Sequence, residues 1–348
     1  MRIRTISFPS LIQSQGPELV NVARNQLTGL KIQEDDQDYI VGELALSEGK
    51  SPHKAMNNSV DELEYKLLSK SAVLTASNHI KEPMVITTGF PYSTINLNKQ
   101  AAVDYLTSLE SITYDAKTYG GNGHVVQPVQ INRVEVIPEL IGGIIAMRRG
   151  EEKRNGNFFL VSLGYGTVEI GLSTDKGVIQ RTEGTASGMR YAVDWAMRSL
   201  MKKYYVGLRT EQQFDVAFQA GNIILNRKRI DLTDLRKEAL KHYYKDVISP
   251  LMRNTWTDDD FNRSNTIILI GGGAHFPELV ENFKEEFDGF VNIEVAPNPA
   301  TVSSRGYCIR SADISGSHDA AVGIDIGNAN TSISVFEGDQ ESDESISY

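Results

Sequence analysis

The feature that most constrains this chain is a segment at residues 322–336, in which two apolar runs flank a polar turn. The turn contains Asp325, Gly327, Asn328, Asn330 and Thr331. Glycine lets the backbone approach an anion closely, and N–H groups in such a turn point inward. The segment therefore predicts two β-strands joined by a phosphate-binding loop. A tight hairpin with Asx-turn hydrogen bonds is the alternative interpretation.

A second segment of the same kind lies at residues 158–172. Its turn reads Ser-Leu-Gly-Tyr-Gly-Thr, and the candidate phosphate-binding residues are Ser162, Gly164, Tyr165, Gly166 and Thr167. The run Val-Ser-Leu-Gly before this turn matches Ile-Asp-Ile-Gly in the first segment, and a threonine follows each. This similarity predicts a duplicated fold with two facing phosphate loops, whereas a plain glycine-rich hairpin would not explain the repetition.

A third candidate is the run Ile-Ile-Leu-Ile-Gly-Gly-Gly-Ala at residues 267–274. A strand of buried type leads into Gly271, Gly272 and Gly273, and Ala274 and a helical segment follow. Backbone amides and a helix N-terminus can bind an anion or a nucleotide. The alternative is a flexible connection between a strand and a helix, but three consecutive glycines exceed what such a connection requires.

Two carboxylates are candidate catalytic residues. Asp325 comes at the end of a strand, where it can face a phosphate-bound Mg²⁺, which takes one or two carboxylates and keeps several waters. Glu139 falls in the first turn of a helix that begins near Pro138, where the helix dipole favours a negative charge. A structural charge is therefore one interpretation of Glu139. Beside three phosphate-type loops, we interpret it instead as the residue that orients an attacking water.

Composition excludes several classes of function. The net charge of −10 over 348 residues argues against nucleic acid as a direct partner. Cys308 is the single cysteine, so no internal disulfide can form and a cytoplasmic location is expected. No apolar run reaches the roughly 18 residues that a transmembrane segment needs. Neither a P-loop nor a Rossmann glycine pattern occurs, and the histidines lack metal-ligand spacing.

Strand patterns alternate with helix patterns along the chain, which predicts α/β layers. The length suits about two domains. We expect one long helix over residues 184–203 and mostly helical structure over residues 206–260.

The motifs fall in a single order when the chain is followed as a circle. The order is the first phosphate loop, the strand Arg2–Phe8, Val41–Ala45, Thr88–Pro91, Pro138-Glu139, the second phosphate loop, the triple glycine and Asn298–Tyr307. This order resembles that of the prokaryotic actin-like ATPases, particularly the ParM/StbA-like and archaeal branches of the actin/Hsp70/sugar-kinase superfamily. In that family the first phosphate loop normally opens the chain.

The resemblance implies a duplicated two-domain α/β fold, actin-like and ribonuclease H-like. It is circularly permuted, so that the first phosphate hairpin is C-terminal. Domain I would comprise residues 1–149 and 301–348, with a small inserted subdomain at about 18–80. Domain II would comprise residues 150–300, with a helical subdomain at about 206–260.

The resemblance also implies roles for the candidate residues. Asp325 would act on Mg²⁺ and the γ-phosphate of ATP through water, and Glu139 would position the hydrolytic water. The two hairpin loops would bind the phosphates, and Gly271–Ala274 would pack against the adenosine. The family's second loop normally starts with aspartate, whereas this chain has Ser162, so we expect ATP binding with weak hydrolysis.

The implied function is a nucleotide-gated, head-to-tail filament with a cytoskeletal or plasmid-segregation role. ATP hydrolysis would drive filament dynamics, and an adaptor protein or cargo would be the further partner. A nucleotide-binding scaffold that does not cycle is the alternative that Ser162 favours. A small-molecule kinase of the same superfamily ranks third, because no aspartate is well placed as its catalytic base.

Overall fold

The computed structural model describes residues 2–14, 18–54, 59–204 and 211–337. The strands are β1 (Ile3–Pro9), β2 (Leu11–Ser14), β3 (Lys31–Glu34), β4 (Gln37–Val41), β5 (His53–Lys54), β6 (Met84–Phe90), β7 (Ser111–Asp115), β8 (His124–Pro128), β9 (Ile131–Pro138), β10 (Phe158–Leu163), β11 (Thr167–Thr174), β12 (Gly177–Val178), β13 (Gly184–Ser187), β14 (Asn222–Leu225), β15 (Lys228–Asp231), β16 (Thr266–Ile270), β17 (Asn292–Val295), β18 (Ala321–Ile326) and β19 (Asn330–Phe336). The helices are α1 (Glu43–Glu48), α2 (Leu63–Ser77), α3 (Ile95–Thr107), α4 (Glu139–Arg149), α5 (Arg190–Met201), α6 (Glu211–Ala220), α7 (Thr233–Tyr243), α8 (Ser249–Thr255), α9 (Asp258–Phe261), α10 (Pro277–Glu286) and α11 (Val302–Ser315).

Two sheets with the same topology form the centre of the molecule. The first sheet has the order β1-β19-β18-β6-β9, and the second has the order β12-β11-β10-β16-β17. In each, a central antiparallel hairpin pairs with an antiparallel strand on one side and with two parallel strands on the other. The expected α/β duplication is therefore visible in strand order and direction. Each sheet forms the base of one α/β domain.

Helices α4 and α11 lie between the two sheets and contact each other closely. A methyl group on Gly306 of α11 would lie 1.8 Å from the carbonyl oxygen of Gly142 on α4. A methyl group on Gly143 would lie 2.5 Å from Ile270 in the second sheet. Glycine is needed at these positions because any side chain would separate the layers. The close packing fixes the start of α4, where Glu139 lies.

A smaller antiparallel sheet, ordered β5-β2-β4-β3-β7-β8, extends from the first domain. Its strands come from residues 11–14 up to residues 124–128. The sheet therefore draws on chain outside residues 18–80, the range expected for the inserted subdomain. Helix α2 lies within that range, yet it packs on β18 and β19 of the first sheet as well as on β3 and β4.

Two secondary-structure predictions were wrong in part. Residues 184–187 form strand β13, which pairs with β11, and the predicted helix begins only at Arg190. Residues 206–260, expected to be mostly helical, include the β14–β15 hairpin at residues 222–231. Its turn residues Asn226 and Arg227 both have positive φ, at 50° and 64°. Residues 206–210 and 338–348 of the predicted domains lie outside the described part of the chain.

No helix in the described residues is long and apolar enough to cross a membrane.

Candidate functional site

A cleft of about 630 Å³ opens between the two domains at the ends of their central strands. Most of the predicted site residues line it: Glu139, Ser162, Gly164, Tyr165, Gly166, Thr167, Gly271, Gly272, Gly273, Asp325, Gly327, Asn328 and Asn330. Thr331 and Ala274 do not. The segments come from four separate parts of the sequence, so the fold brings all three glycine loops and both candidate carboxylates to one place.

The loop of the first sheet is a tight turn between β18 and β19. The N–H of Gly327 donates to the carbonyl oxygen of Asn330 at 3.1 Å, which closes the turn. The Thr331 hydroxyl is fully buried and lies 2.9 Å from the Ser10 hydroxyl. Thr331 therefore ties the hairpin to the strand beside it and does not face the cleft, unlike the phosphate-binding role expected for it.

The loop of the second sheet is held by the segment that precedes α5. Three backbone N–H groups donate to its carbonyl oxygens at 2.9–3.0 Å: Gly188 to Gly166, Met189 to Gly164 and Arg190 to Tyr165. A methyl group on Gly188 would lie 2.5 Å from the backbone of this loop. Gly188 is thus a supporting residue that sequence reasoning missed. The available signal was a glycine inside the helix predicted over residues 184–203, a position where glycine is unfavourable.

The two hairpin loops face each other across the cleft. A methyl group on Gly166 would lie 2.5 Å from the side-chain oxygen of Asn328. This contact joins a loop of one domain to a loop of the other, so a side chain at position 166 would require Asn328 to move. An anion held between the loops would meet backbone from both domains.

The three glycines at residues 271–273 differ in what surrounds them. Gly271 has φ of 86° and lies against Leu163, where a methyl group would come within 2.7 Å of the backbone. Gly273 packs on Leu163 and Met189. A methyl group on Gly272 would meet nothing within 4 Å, so this residue presents bare backbone to the cleft. Ala274 is buried beneath the loop and the next long helix begins at Pro277.

Three carboxylates gather at the base of the cleft. Burial raises the pKa of Asp325 to about 7. Burial also raises the pKa of Glu139 well above its usual range, and the charges of Glu169 and Asp325 raise it further. Glu169, on β11, has its own pKa raised to about 7 by burial. Burial therefore makes each group costly to ionise, and for Glu139 the negative charges of Glu169 and Asp325 add to that cost.

This arrangement fits a hydrated divalent cation. Several buried polar atoms here lack a hydrogen-bond partner among the described residues: the hydroxyls of Tyr307 and Thr88 and one carboxylate oxygen of Glu169. Buried polar atoms are normally satisfied, so such a group signals a missing water or ion. Of these three carboxylates, Asp325 and Glu139 line the cleft. Mg²⁺ needs only one or two carboxylates and keeps its waters.

A buried ion pair spans the far side of the cleft. Lys54, on β5 of the small sheet, lies 2.5 Å from a carboxylate oxygen of Asp215 on α6. Each side chain is 4% exposed, and the ammonium lies 3.6 Å from the ring centroid of Tyr165 in the second loop. Asp215 also lines the cleft. Sequence reasoning missed this pair because nothing local links two charges 161 residues apart.

The wall around Asp215 is made by the helical part of the second domain. Gln219 donates to Asp215 at 3.1 Å, and Arg236 donates to the carbonyl oxygen of Gln219 at 2.9 Å. The Arg236 guanidinium also binds Glu278 and lies over the Phe276 ring. The wall is therefore pre-formed by a network of fixed polar contacts, and it offers an apolar ring beside polar groups.

A second group with metal-ligand chemistry lies elsewhere, on the small sheet. It comprises Asp38, Asp115 and His124. The Lys31 ammonium binds both aspartates, at 3.2 and 2.8 Å. Burial acts to raise the pKa of Asp115, but the hydrogen bonds from Lys31 and from the backbone N–H of Lys117 outweigh it and lower that pKa. The Lys31 ammonium thus already supplies the positive charge that the two aspartates need, so this cluster is an ion-pair network.

Comparison with known proteins agrees with the fold. Residues 1–142 match the family described as actin-like proteins, N-terminal domain. No curated protein sequence matches the chain significantly.

Solved structures match over most of the chain. The non-polymerisable quadruple mutant of pCBH ParM is 22% identical, with a TM-score of 0.72 and coverage of 88% of this chain and 92% of that one. The 15-stranded ParM filament from Clostridium botulinum is 19% identical, with a TM-score of 0.69 and the same coverage. The archaeal actin homologue Ta0583 in complex with ADP is 15% identical, with a TM-score of 0.66 and coverage of 89% and 92%. At these low sequence identities, the structural similarity shows a shared fold and nothing more. The chain therefore has an actin-like fold, and its residues 1–142 match the N-terminal domain of the actin-like proteins.

Proposed function

We propose that this protein binds Mg–ATP between its two domains and assembles head-to-tail into filaments when the nucleotide is bound. The observation that carries the proposal is the contact between Gly166 and Asn328, where a glycine loop from each domain meets over the carboxylates. A ligand that bridges both loops would draw the domains together. Surfaces created by closure and repeated head-to-tail generate an open filament.

The similar structures support nucleotide binding and filament assembly. One is an archaeal actin homologue in complex with ADP, and another is a ParM filament. We infer that the two hairpin loops bind the phosphates and that Gly271–Ala274 pack against the adenosine. Asp325 would hold Mg²⁺ through water, and Glu139 would position the hydrolytic water. The bound ion would supply charge neutralisation at the transferred phosphate.

We further propose that the chain is a circular permutant of the actin-like fold. In the second sheet the central hairpin, β10–β11, precedes the other strands in sequence. In the first sheet the equivalent hairpin, β18–β19, follows them. Joining residues 301–348 to residues 1–149 as domain I gives both domains the same strand order. Domain II would then be residues 150–300.

The proposal is tested by right-angle light scattering of the purified protein after Mg–ATP is added. A fast rise with a threshold protein concentration is expected, and no rise is expected without nucleotide. Nucleotide binding is measured on the same sample with a fluorescent ATP analogue. Binding without any rise across the micromolar range would favour a scaffold that does not cycle. Absence of binding would contradict the proposed site.

Ser162 is the observation that favours the scaffold. It lines the cleft where the family's second loop carries aspartate, so a carboxylate for the metal is missing at that position. Slow hydrolysis, or none, follows if that carboxylate is needed to hold Mg²⁺ and water.

The substitution Ser162→Asp is therefore expected to raise the rate of phosphate release by about 10-fold, because a second carboxylate would hold the metal and its water. The unliganded variant should be less stable to urea, because a fourth acid would be added where burial already raises the pKa of three carboxyl groups. Ser162→Asn is the matched control, since it adds similar volume without charge. Unchanged phosphate release in Ser162→Asp would mean that this position does not limit turnover.

The ion pair between Lys54 and Asp215 is expected to slow nucleotide release. It joins the two sides of the cleft, and breaking a buried pair leaves an uncompensated charge that costs about 3–5 kcal/mol. Lys54→Met should therefore speed dissociation of a fluorescent ATP analogue by about 10-fold or more in stopped flow, because the closed state is weakened. Lys117→Met is the control, since Lys117 and its partner Glu18 form an exposed pair. Equal dissociation rates in wild type and Lys54→Met would contradict a role in closure.

A further inference from the structure

Tyr307, on helix α11, is fully buried between the first sheet and helix α4. Two glycines leave the space that its side chain fills. A methyl group on Gly142 of α4 would overlap the Tyr307 ring, and a methyl group on Gly89 of β6 would overlap its hydroxyl oxygen. The hydroxyl therefore occupies the place that a side chain at position 89 would take.

That place lies beside the candidate metal-holding residue Asp325. Strand β18 pairs in parallel with β6, with Gly323 opposite Thr87, and two residues further along the two strands are Asp325 and Gly89. Residues two apart on a strand share a face. This face looks towards α11, because the Ser311 hydroxyl of that helix donates to the Thr87 hydroxyl at 2.8 Å. Neighbouring strands are about 4.8 Å apart, so the Asp325 side chain starts about one strand spacing from the hydroxyl.

Glu139 lies on the other side of Gly89. Strand β9 pairs in parallel with β6, with Ile137 opposite Gly89, and Glu139 begins α4 two residues later. The Tyr307 hydroxyl thus lies between the end of β18 and the start of α4. Burial raises the pKa of Tyr307 well above its usual range, and the charges of Asp325 and Glu139 raise it further. The hydroxyl therefore keeps its proton and can donate a hydrogen bond.

The Tyr307 hydroxyl has no direct hydrogen-bond partner among the residues that the structure describes. Buried polar groups are normally paired, and polar groups too far apart for a direct bond are often bridged by water. Ionised carboxylates only accept hydrogen bonds, so Asp325 and Glu139 cannot satisfy each other. A water molecule among the three groups would accept from the hydroxyl and donate one hydrogen bond to each carboxylate, which gives it the partners that a buried water needs.

We propose that Tyr307 is a positioning residue whose hydroxyl donates to a buried water molecule, which in turn donates to Asp325 and Glu139. The consequence for catalysis rests on the proposed nucleotide function. The water would hold the carboxylate that binds the metal at a fixed separation from the carboxylate that orients the attacking water. Tyr307 would thus act beneath the cleft, without touching the nucleotide.

The proposal predicts a split between catalysis and binding in Tyr307→Phe, which removes one oxygen and keeps the ring. The single-turnover rate of phosphate release should fall by about 10-fold, which corresponds to the loss of one hydrogen bond in a network with charged groups. Affinity for Mg–ATP should stay within about 3-fold of wild type, because Tyr307 does not line the cleft.

Tyr65→Phe is the matched control, because Tyr65 is also buried in the first domain and its hydroxyl also lacks a partner among the described residues. Its ring stacks on Phe90, the neighbour of Gly89 that faces the opposite side of the sheet. Tyr65→Phe should therefore release phosphate at the wild-type rate.

Urea unfolding of the free protein tests the link without nucleotide. Tyr307→Phe should lower the urea midpoint, because the two carboxylates lose the donor that fixes their water. In a double-mutant cycle, the effects of Tyr307→Phe and Asp325→Asn on the free energy of unfolding should be non-additive, since groups in one hydrogen-bond network couple. The effects of Tyr65→Phe and Asp325→Asn should add.

Three results would overturn the inference. A Tyr307→Phe variant at least as stable as wild type would show that the hydroxyl is a buried group without a partner. Additive effects of Tyr307→Phe and Asp325→Asn would show that no water links them. Wild-type phosphate release in Tyr307→Phe would show that the link does not position Glu139. By contrast, failure of the wild-type protein to bind Mg–ATP would count against the proposed function, while the urea cycle would still test the link.

Discussion

Replacing Asp325 with asparagine is expected to weaken Mg–ATP binding by about 100-fold while leaving the unliganded protein at least as stable as wild type. The loss of affinity follows because the carboxylate that would hold the metal through water becomes neutral, and removing such partners typically costs about 10- to 100-fold in affinity. The stability should not fall, because Asp325 is buried and its charge raises the pKa of Glu139. An amide of the same shape relieves that repulsion.

The two effects have opposite signs, which separates a metal-binding role from a structural one. Affinity is measured by titration with a fluorescent ATP analogue, with and without Mg²⁺, and stability is measured by urea unfolding of the free protein. Asp319→Asn is the control, because the same chemical change is made at an exposed position six residues earlier. Loss of stability together with unchanged affinity would mean that Asp325 supports the fold and not the ligand.

The three glycine loops could be found in the sequence because each is a local pattern. A strand that runs into glycine and small polar residues has a recognisable order over about six positions, and the two hairpins repeat it. Local patterns could not tell which side chains face the cleft. Thr331 points into the first domain towards Ser10, and Ala274 is covered by its own loop.

The residues that sequence reasoning missed depend on contacts between distant parts of the chain. Glu169 lies within a buried strand and has no local mark of function; it contacts the first domain only because the fold brings β11 beside the segment after β6, where the Tyr92 N–H donates to it. Lys54 and Asp215 are joined by the closure of the cleft. In each case tertiary packing brings the residues together, and the local sequence around each residue does not reveal that contact.

The errors in secondary structure have related causes. Residues 184–187 are small and carry no strong strand signal, but they complete the edge of the second sheet by pairing with β11. The β14–β15 hairpin has a turn of Asn226 and Arg227 with left-handed backbone, and only asparagine is common in that conformation. The expectation of mostly helical structure also passed over Gly221, which directly follows α6 with a φ of 71° and is the usual signal for a helix end.

Replacing Glu139 with alanine is expected to slow phosphate release by a factor on the order of 100 or more, since a positioned general base or water-orienting group typically contributes about 10²–10⁴ in rate. Nucleotide binding should stay within about 3-fold of wild type, because the glycine loops that would hold the phosphates are unchanged. Filaments should therefore form with Mg–ATP and then persist, as the reaction that weakens them is blocked.

Phosphate release and light scattering, followed in the same sample, test this expectation for Glu139→Ala. Glu151→Ala, at an exposed glutamate just beyond the other end of α4, is the control and should disassemble like wild type. If Glu139→Ala releases phosphate at the wild-type rate, the residue is only a favourable charge at a helix N-terminus. If it forms no filaments although it still binds nucleotide, Glu139 acts in domain closure, before any hydrolysis. Persistent filaments in Glu139→Ala would therefore show that Glu139 positions the water, because losing that role leaves assembly intact. A role in closing the cleft would instead prevent assembly.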